Sequence, residues 1–345
     1  MTKEYIWFFE DIKKVNKNNL KVFSCFSCGG GSCMGYKLAG FDVIGNNEID
    51  EKINEIYIKN HNPKYNFCCD IRDLLNLDLP NDLYNLDILD GSPPCSVFSM
   101  VGKREKFWGV EKKFREGQKK QRLDDLFFSF INLADKLKPK IVVSENVKGL
   151  IFKKARGYVN EILKAFDKAG YETQIFILNS AQMGVPQTRE RIFFISKRKD
   201  LNLPNIFLNF NEKPIKYKDF KDTEHFVPFN KQSEDYKIWF KRKYGDKSII
   251  QTKKRISEDK GGFFTLNRYI YDDKVCGTLV PGCDRFVRFD VPGKISDRDI
   301  AIIQTFPLDY NFCGQSPVYI CGMSVPPIMM KKIAQQIYFQ LLKEK

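Results

Sequence analysis

The chain is poor in histidine: its 345 residues hold two, His61 and His225, and each stands alone. Of its ten cysteines, Cys25-Phe-Ser-Cys28 has the spacing of a redox or zinc half-site. A structural zinc site needs a second close pair of Cys or His, which neither Cys276/Cys283 nor Cys313/Cys321 supplies. Metal binding and thioredoxin-like chemistry are therefore not expected, and most of the thiols read as small buried apolar side chains. No run of ~18 apolar residues occurs, so no segment is expected to span a bilayer. The start, MTKEYIWFFEDIKK, mixes charge into its apolar residues and lacks a continuous secretory core, which points to a reducing cytosol. Internal repeats and low-complexity linkers are absent as well.

What is present suits a globular protein. With 43% hydrophobic residues the chain can bury one large core and a smaller lobe, and its length suggests about two domains of ~150 residues. The net charge of +14, from 57 Lys and Arg against 43 Asp and Glu, points to a polyanionic partner, with nucleic acid ahead of a membrane surface or an acidic protein. A Lys- and Asn-rich bias that only solvates the surface would give the same total, so the distribution of charge must decide.

Apolar runs alternate with helical spacing. LKVFSCF (20–26) leads into Gly29-Gly30-Gly31 and the helical MGYKLAGF, followed by the strand FDVIGNNE, a helical stretch over 50–60, and an apolar step before Asp70. Then come LDILDGS (86–92), the helical LDDLFFSFINLADKLK (123–138), KIVVSENV (140–147), a helix from about 157 to 169, YETQIFILNS (171–180) and ERIFFISKR (190–198). This alternation predicts an α/β fold, a doubly wound and mainly parallel sheet that binds ligands at the carboxyl ends of its strands. After Arg198 the rhythm breaks into irregular Asn-, Lys- and Phe-rich sequence until about residue 290. Pro326-Pro327 then opens a C-terminal helix.

Three stretches carry chemistry. The glycine turn lets backbone approach a ligand closely, and Glu48, at the end of the next strand, could hold two ribose hydroxyls. The spacing is not a clean G-x-G-x-x-G, since Met34 occupies the last glycine position, and a glycine-rich turn is often only a turn. GSPPCSVFS (91–99) places the Cys95 thiol just beyond a strand's carboxyl end, with Pro93 and Pro94 fixing its approach; a thiolate is a strong nucleophile. Taken alone, a buried cysteine in a proline-rich turn explains this stretch equally well. Ser144-Glu145-Asn146-Val147 ends one strand and Gln187-Thr188-Arg189-Glu190-Arg191 starts another. In a parallel sheet a carboxylate and two guanidinium groups could then share a rim with Cys95.

With these motifs in order, the chain resembles the cytosine-5 DNA methyltransferases over nearly its whole length: FSCGGGSCMG, Glu48, Asp70, GSPPCSVFS, LDDLFF, SENVKGL, QTRER, SDRDIAIIQTFP and CGMSVPP. The resemblance implies a Rossmann-like class I methyltransferase fold with a smaller, irregular target-recognition domain. It implies a catalytic and cofactor-binding domain over 1–197, target recognition over 198–317, and a C-terminal segment, 318–345, returning to the first. S-adenosylmethionine is the implied cofactor, and duplex DNA with a flipped-out cytosine the implied substrate. Cys95 then matches the nucleophile that adds to cytosine carbon 6. Glu145 matches the carboxyl that meets ring nitrogen 3 and the exocyclic amine, Arg191 the guanidinium at the carbonyl oxygen, and Arg189 the first arginine of that motif. Phe26, Ser27, Gly29, Gly30, Gly31, Asn47, Glu48, Ile49, Asp70, Ile71, Pro94, Leu126 and Ser324 fall at cofactor positions, with Glu48 on the ribose and Asp70 on the adenine amine. Three residues depart from the family pattern: Cys28 stands where its first loop glycine is usual, Ser96 replaces a common Gln, and Met323 a usual Asn.

Charge is concentrated in two places. Between Gly102 and Arg122 nine Lys or Arg face three acids, interleaved with Phe107, Trp108 and Phe114, and in the family this segment is a loop that closes on DNA. Lys103, Arg104, Lys112, Lys113 and Arg115 are its candidate DNA contacts. Lys237 to Arg255 holds eight Lys or Arg against Asp246 alone, with Lys241, Arg242 and Lys243 as candidates. A tRNA-methylating branch of the family carries a Cys-Phe-Thr signature that is missing from 198–290. A non-catalytic DNA-binding relative finds support only in Cys28 and Met323, and a nicotinamide-dependent oxidoreductase explains none of the later motifs. The expected protein is a cytoplasmic, nucleoid-associated monomer, compatible with a separately acting cognate restriction endonuclease.

Overall fold

The computed structural model describes residues 3–94, 125–151, 156–257, 267–281 and 285–343. Two compact units form: Ile12–Asn179 with Glu190–Asn209 and Met330–Lys345, and Met1–Asp11 with Ser180–Arg189 and Phe210–Met329. Their bounds differ from 197/198 and 317/318 because tertiary bonds, not sequence order, assign the short segments. The Trp7 indole donates to the Thr305 carbonyl at 2.9 Å, and the Leu308 amide to that of Trp7.

The larger unit is built on a seven-stranded sheet. Along the chain run β1 (Lys21–Cys25), α1 (Gly31–Leu38), β2 (Asp42–Asn47), α2 (Glu51–His61), β3 (Tyr65–Phe67), the single turn α3 (Ile71–Leu74), β4 (Ile88–Gly91), α4 (Leu126–Leu137), β5 (Ile141–Val147), α5 (Arg156–Lys168), β6 (Tyr171–Asn179) and β7 (Glu190–Arg198). The spatial order is β3-β2-β1-β4-β5-β7-β6. From β1 the chain builds outward through β2 and β3, then returns to lay β4 on the other side of β1. That reversal is the switch point where such sheets hold ligands.

Both faces of the sheet are covered, which explains why its central strands read as near-continuous apolar runs rather than alternating ones. Asp90 of β4 points to α1, whose Tyr36 it meets, while a Cβ on neighbouring Gly91 would lie 2.5 Å from the Phe130 ring of α4. Leu126, Phe127, Phe130, Leu133 and Leu137 bury one stripe of α4 against Phe23, Leu89, Val142 and Phe194. β1 to β5 are parallel, but β7 is antiparallel to both β5 and β6. This corrects the parallel arrangement expected for QTRER. A parallel strand would begin at the opposite rim, whereas reversed β7 begins beside the end of β5, with Arg191 opposite Val147.

The smaller unit has little regular structure. β8 (Val227–Pro228), α6 (Glu234–Trp239), α7 (Ile249–Ile256), β9 (Tyr269–Ile270), β10 (Val287–Arg288), β11 (Gly293–Lys294), α8 (Asp297–Gln304) and α9 (Pro317–Met323) follow one another, and α10 (Pro327–Ile337) carries the chain back to the larger unit. Each strand of its four-stranded sheet is two residues long, too short to show a period in the sequence. Serine caps define helix starts instead: Ser233, Ser248 and Ser296 each accept a first-turn amide of α6, α7 and α8.

A buried glutamine fastens this unit. Gln187 Nε2 donates to the Ile303 carbonyl at 3.1 Å and to Gln304 Oε1 at 2.7 Å, while its Oε1 accepts the Leu279 amide at 2.9 Å. Gln187→Ala strands the buried Leu279 donor and two acceptors. Urea unfolding should show a loss of about 2–4 kcal/mol; a loss below ~0.5 kcal/mol would mean that water replaces the amide without cost.

Candidate active site

The turn after β1 is held by the acid at the end of β2. The Ser27 amide donates to the Asn47 carbonyl at 3.1 Å, and the Cys28 amide to Glu48 Oε2 at 2.9 Å. Glu48 Oε1 also accepts the amides of Ile49 at 2.9 Å and Asp50 at 3.1 Å. Burial raises the proton affinity of the Glu48 carboxyl, and the amide bonds oppose that rise. Three accepted bonds leave room for about one more among a carboxylate's roughly four lone-pair directions.

The turn contains left-handed residues, Phe26 at φ 53°, Cys28 at 47° and Gly30 at 74°. Cys28 thus takes at ~1–2 kcal/mol the conformation that a glycine would adopt freely, which accounts for a glycine being usual there in the resembling family. At Gly30 space is decisive too, because a Cβ would lie 2.1 Å from His61 Nε2. The buried His61 ring stacks on Tyr57, and its proton affinity falls well below the usual histidine value through burial and the nearby Lys37 charge.

The remaining cofactor candidates fall into distinct places. Asn47 Nδ2 donates to the carbonyls of Phe67 and Cys69, tying β2 to the segment that leads to Asp70. Asp70 caps α3 through the Arg72 amide and pairs with the Arg72 guanidinium at 2.8 Å. Phe26 packs on Phe130, Ile71 and Leu126 are buried in the same core, Ile49 is half-buried, and Gly29 and Gly31 are buried. Pro94 is exposed. Ser324 belongs to the smaller unit, where its hydroxyl donates to the Ile320 carbonyl and closes α9. Consecutive strand ends therefore deliver a tight turn, Glu48 and Asp70. That is an acceptor set suited to a nucleoside's hydroxyls and amine, with no basic residue among 26–31 to meet a phosphate.

Beyond β4 the chain turns toward the strand ends. Cys95 lies outside the described residues, as do Lys103, Arg104, Lys112, Lys113 and Arg115. The approach to Cys95 is described up to Pro94, and Asn146 Nδ2 fixes it by donating to the Pro93 carbonyl at 3.1 Å. On the opposite face of β5, Glu145 Oε1 meets Arg191 Nε at 2.9 Å, with both side chains largely buried. Burial lowers the proton affinity of Arg191, and the Glu145 charge opposes this. The paired arginines part company: Arg189 belongs to the smaller unit and donates to the Leu279 and Gly322 carbonyls, each at 3.1 Å.

Two residues at this rim carry no role that sequence reasoning finds. Asn146 sits inside SENV, but its bond to Pro93 depends on a fold contact that spacing does not reveal. Asp90 offers a visible signal, an acid inside the apolar strand LDILDGS. Its carboxyl is buried, accepting from Ser24 Oγ at 2.8 Å and Tyr36 Oη at 3.2 Å. Burial pushes it up to about 7, and Ser24 and Tyr36 restrain the rise.

In the smaller unit Lys241 and Lys243 are exposed, while Arg242 is packed inward. The Arg242 guanidinium lies 3.2 Å from the Trp239 ring centroid and donates to the carbonyls of Phe289 and Trp239.

A mainly parallel sheet with a reversed strand next to its edge, a turn and acid at the switch point, and polar groups along the carboxyl rim define a Rossmann-like class I methyltransferase fold. The chain matches the family model of C-5 cytosine-specific DNA methylases over residues 20–338 and belongs to that family. It is 32% identical to the type II methyltransferase M.FnuDI of Fusobacterium nucleatum, across 92% of this chain and 94% of that one. Against M.Sau96I of Staphylococcus aureus it is 30% identical, across 96% and 79%. Among solved structures, an E. coli prophage protein described as a DNA modification methyltransferase aligns at a TM-score of 0.66 with 21% identity, covering 94% of this chain and all of that one. The protein is thus a DNA cytosine-5 methyltransferase, and its family implies methyl transfer from S-adenosylmethionine.

The buried Asp90 carboxyl makes stability depend on pH. Unfolded, it releases its proton near pH ~4, but folded it keeps the proton to about 7. The stability this confers is complete below pH ~4 and is lost as pH rises through 7. Asp90→Asn cannot ionise, so relative to wild type it should gain about 4 kcal/mol at pH ~8 over pH ~4. Denaturant melts at the two values check this; a difference that does not vary with pH would count against a neutral Asp90.

Proposed function

We propose that Cys95, Glu145 and Arg191 carry out methyl transfer to a cytosine flipped out of duplex DNA. The Asn146–Pro93 bond supports this reading most directly, because it holds the segment entering Cys95 to the strand that carries Glu145. The Cys95 thiolate adds to cytosine carbon 6. Glu145 gives ring nitrogen 3 a proton and accepts from the exocyclic amine, and Arg191 bonds the carbonyl oxygen, so that charge entering the ring is neutralised. Carbon 5 then has enamine character and can attack an electrophilic methyl. Loss of the carbon 5 proton to water, expulsion of the thiolate and return of the nitrogen 3 proton to Glu145 restore the aromatic ring and the starting acid. Arg191 already bonds Glu145, so an arriving base exchanges one partner of an existing pair rather than requiring two buried charges to be assembled.

S-adenosylmethionine, when bound, supplies that methyl as a sulfonium. Glu48 holds its ribose, Asp70 its adenine amine, and the turn 26–31 lies against it, with Phe26, Ile49, Ile71, Pro94 and Leu126 as further contacts. Residues 198–317 act as the target-recognition domain, with Lys241 and Lys243 on phosphates, while 1–197 and 318–345 carry the chemistry. The type II relatives favour a sequence-specific modification enzyme with a separately acting endonuclease as its companion.

Cys95→Ser should abolish turnover while duplex binding survives, since the hydroxyl is nearly isosteric but far less nucleophilic. Duplexes carrying 5-fluorocytosine should trap a covalent complex with the wild type and none with the variant. Undiminished methylation by the serine variant would remove Cys95 from the mechanism.

The exposed lysines invite a separate measurement. Lys241→Gln with Lys243→Gln should weaken binding to all duplex sequences and flatten the salt dependence, by up to ~0.9 in log–log slope for each phosphate no longer neutralised. An unchanged slope would assign these lysines to the solvated surface.

A further inference from the structure

Asp90 is unused by the mechanism above, yet it is a buried carboxyl one strand away from Glu145. In the register of the sheet Asp90 lies opposite Ser24 of β1 and Val143 of β5. Glu145 is two residues beyond Val143, so both carboxyls project from the same face of adjacent strands, at the diagonal spacing of roughly 7–8 Å. Their partners differ in kind. Glu145 has a cation, Arg191 at 2.9 Å, whereas Asp90 is held by hydroxyls, those of Ser24 and Tyr36. Among the described residues, the titratable groups facing Asp90 are Cys25 on β1, Cys33 and Tyr36 on α1, and Glu145 on β5. None of these brings positive charge.

We propose that Asp90 is a positioning residue for methyl transfer, whose charge decides how firmly Glu145 holds its proton once cytosine has drawn Arg191 away. This rests on the reading of Glu145 as the group that protonates ring nitrogen 3. Two carboxyls on one buried face, with a cation paired to one of them, cannot both ionise without cost. In the free enzyme Arg191 lies 2.9 Å from Glu145, whereas burial among hydroxyls favours the protonated form of Asp90. When Arg191 turns to the carbonyl oxygen of the base, Glu145 loses its counter-charge. Asp90 then releases its proton to solvent, Glu145 takes one up, and the negative charge has moved one strand toward the cofactor turn while the number of bound protons stays the same. The Ser24 and Tyr36 hydroxyls serve both states, accepting from the neutral acid and donating to the carboxylate.

The test is the pH dependence of single-turnover methyl transfer, with radiolabelled S-adenosylmethionine and unmethylated genomic duplex DNA, from about pH 6 to about pH 9.5. Wild type should lose rate at alkaline pH as Glu145 deprotonates. In Asp90→Asn that limb should move about one unit lower, because the neighbouring negative charge is gone. Tyr36→Phe should move it in the same direction by less, since it removes a donor that supports the Asp90 carboxylate, and it decides the matter should the asparagine variant not fold. The acid limb should stay in place in both. An alkaline limb unmoved in the variants, with rates lowered equally at every pH, would overturn the proposal and leave Asp90 a structural group. Full turnover by Glu145→Gln would instead overturn the reading of Glu145 itself.

Discussion

Glu145 and Arg191 meet because β7 runs against its neighbours, and the other groups at this rim are arranged around that contact. Bringing a carboxylate and a guanidinium out of water is costly, and removing one partner of such a pair leaves a buried charge worth roughly 3–5 kcal/mol of lost stability. The sheet avoids that cost by topology. β5 delivers Glu145 near its carboxyl end, and only a strand that begins at the same rim can deliver Arg191 within its first residues. The antiparallel link from β6 to β7 satisfies this requirement. It also sends Ser180–Arg189 out of the larger unit on the way, which is why Arg189, two positions from Arg191, bonds Leu279 and Gly322 instead.

The same rim divides the groups proposed for binding and for chemistry among the strands. β1, β2 and β3 present the turn, Glu48 and Asp70; β4 and β5 present the path to Cys95 and Glu145. The switch between β1 and β4 separates the two sets, and Asp90 stands on the β4 side bonded to Ser24 on the other. The turn after β1 is kept by hydrogen bonds to Glu48 and by the His61 ring behind Gly30, so its left-handed residues are supported from outside rather than by their own preference. Cys28 holds the place of a glycine there through its backbone amide, which donates to Glu48 Oε2.

Much of the larger unit was legible in the sequence. Each strand and helix proposed between residues 20 and 198 has a counterpart, because long apolar runs and helical spacing report burial directly. β3 was legible only as an apolar step, being three residues long. The orientation of β7 was not legible: ERIFFISKR has the same pattern in either direction, and a strand's sense is fixed by what it pairs with. The smaller unit gave no periodicity because its strands span two residues each and its core rests on a few aromatic side chains, Trp239, Tyr269 and Tyr271 among them. The motifs proposed to be catalytic were legible as motifs, whereas Asn146 and Asp90 needed the register of β4 against β5.

Charge counted along the chain also differs from charge available to a partner. Of the eight basic residues between Lys237 and Arg255, three are engaged within the smaller unit. Arg242 lies on Trp239, Arg255 pairs with Asp246 at 2.8 Å, and Lys253 pairs with Glu234 at 2.8 Å. Lys237, Lys241, Lys243, Lys247 and Lys254 are exposed. Both arginines of the cluster thus build the fold, as their planar, multiply bonding heads favour, and the outward charge belongs to lysine. An ammonium on a flexible stem is a point charge that meets phosphates without reading a base edge. Lysine charge of this kind is blind to sequence, so discrimination among DNA sequences has to arise from side chains outside this lysine set.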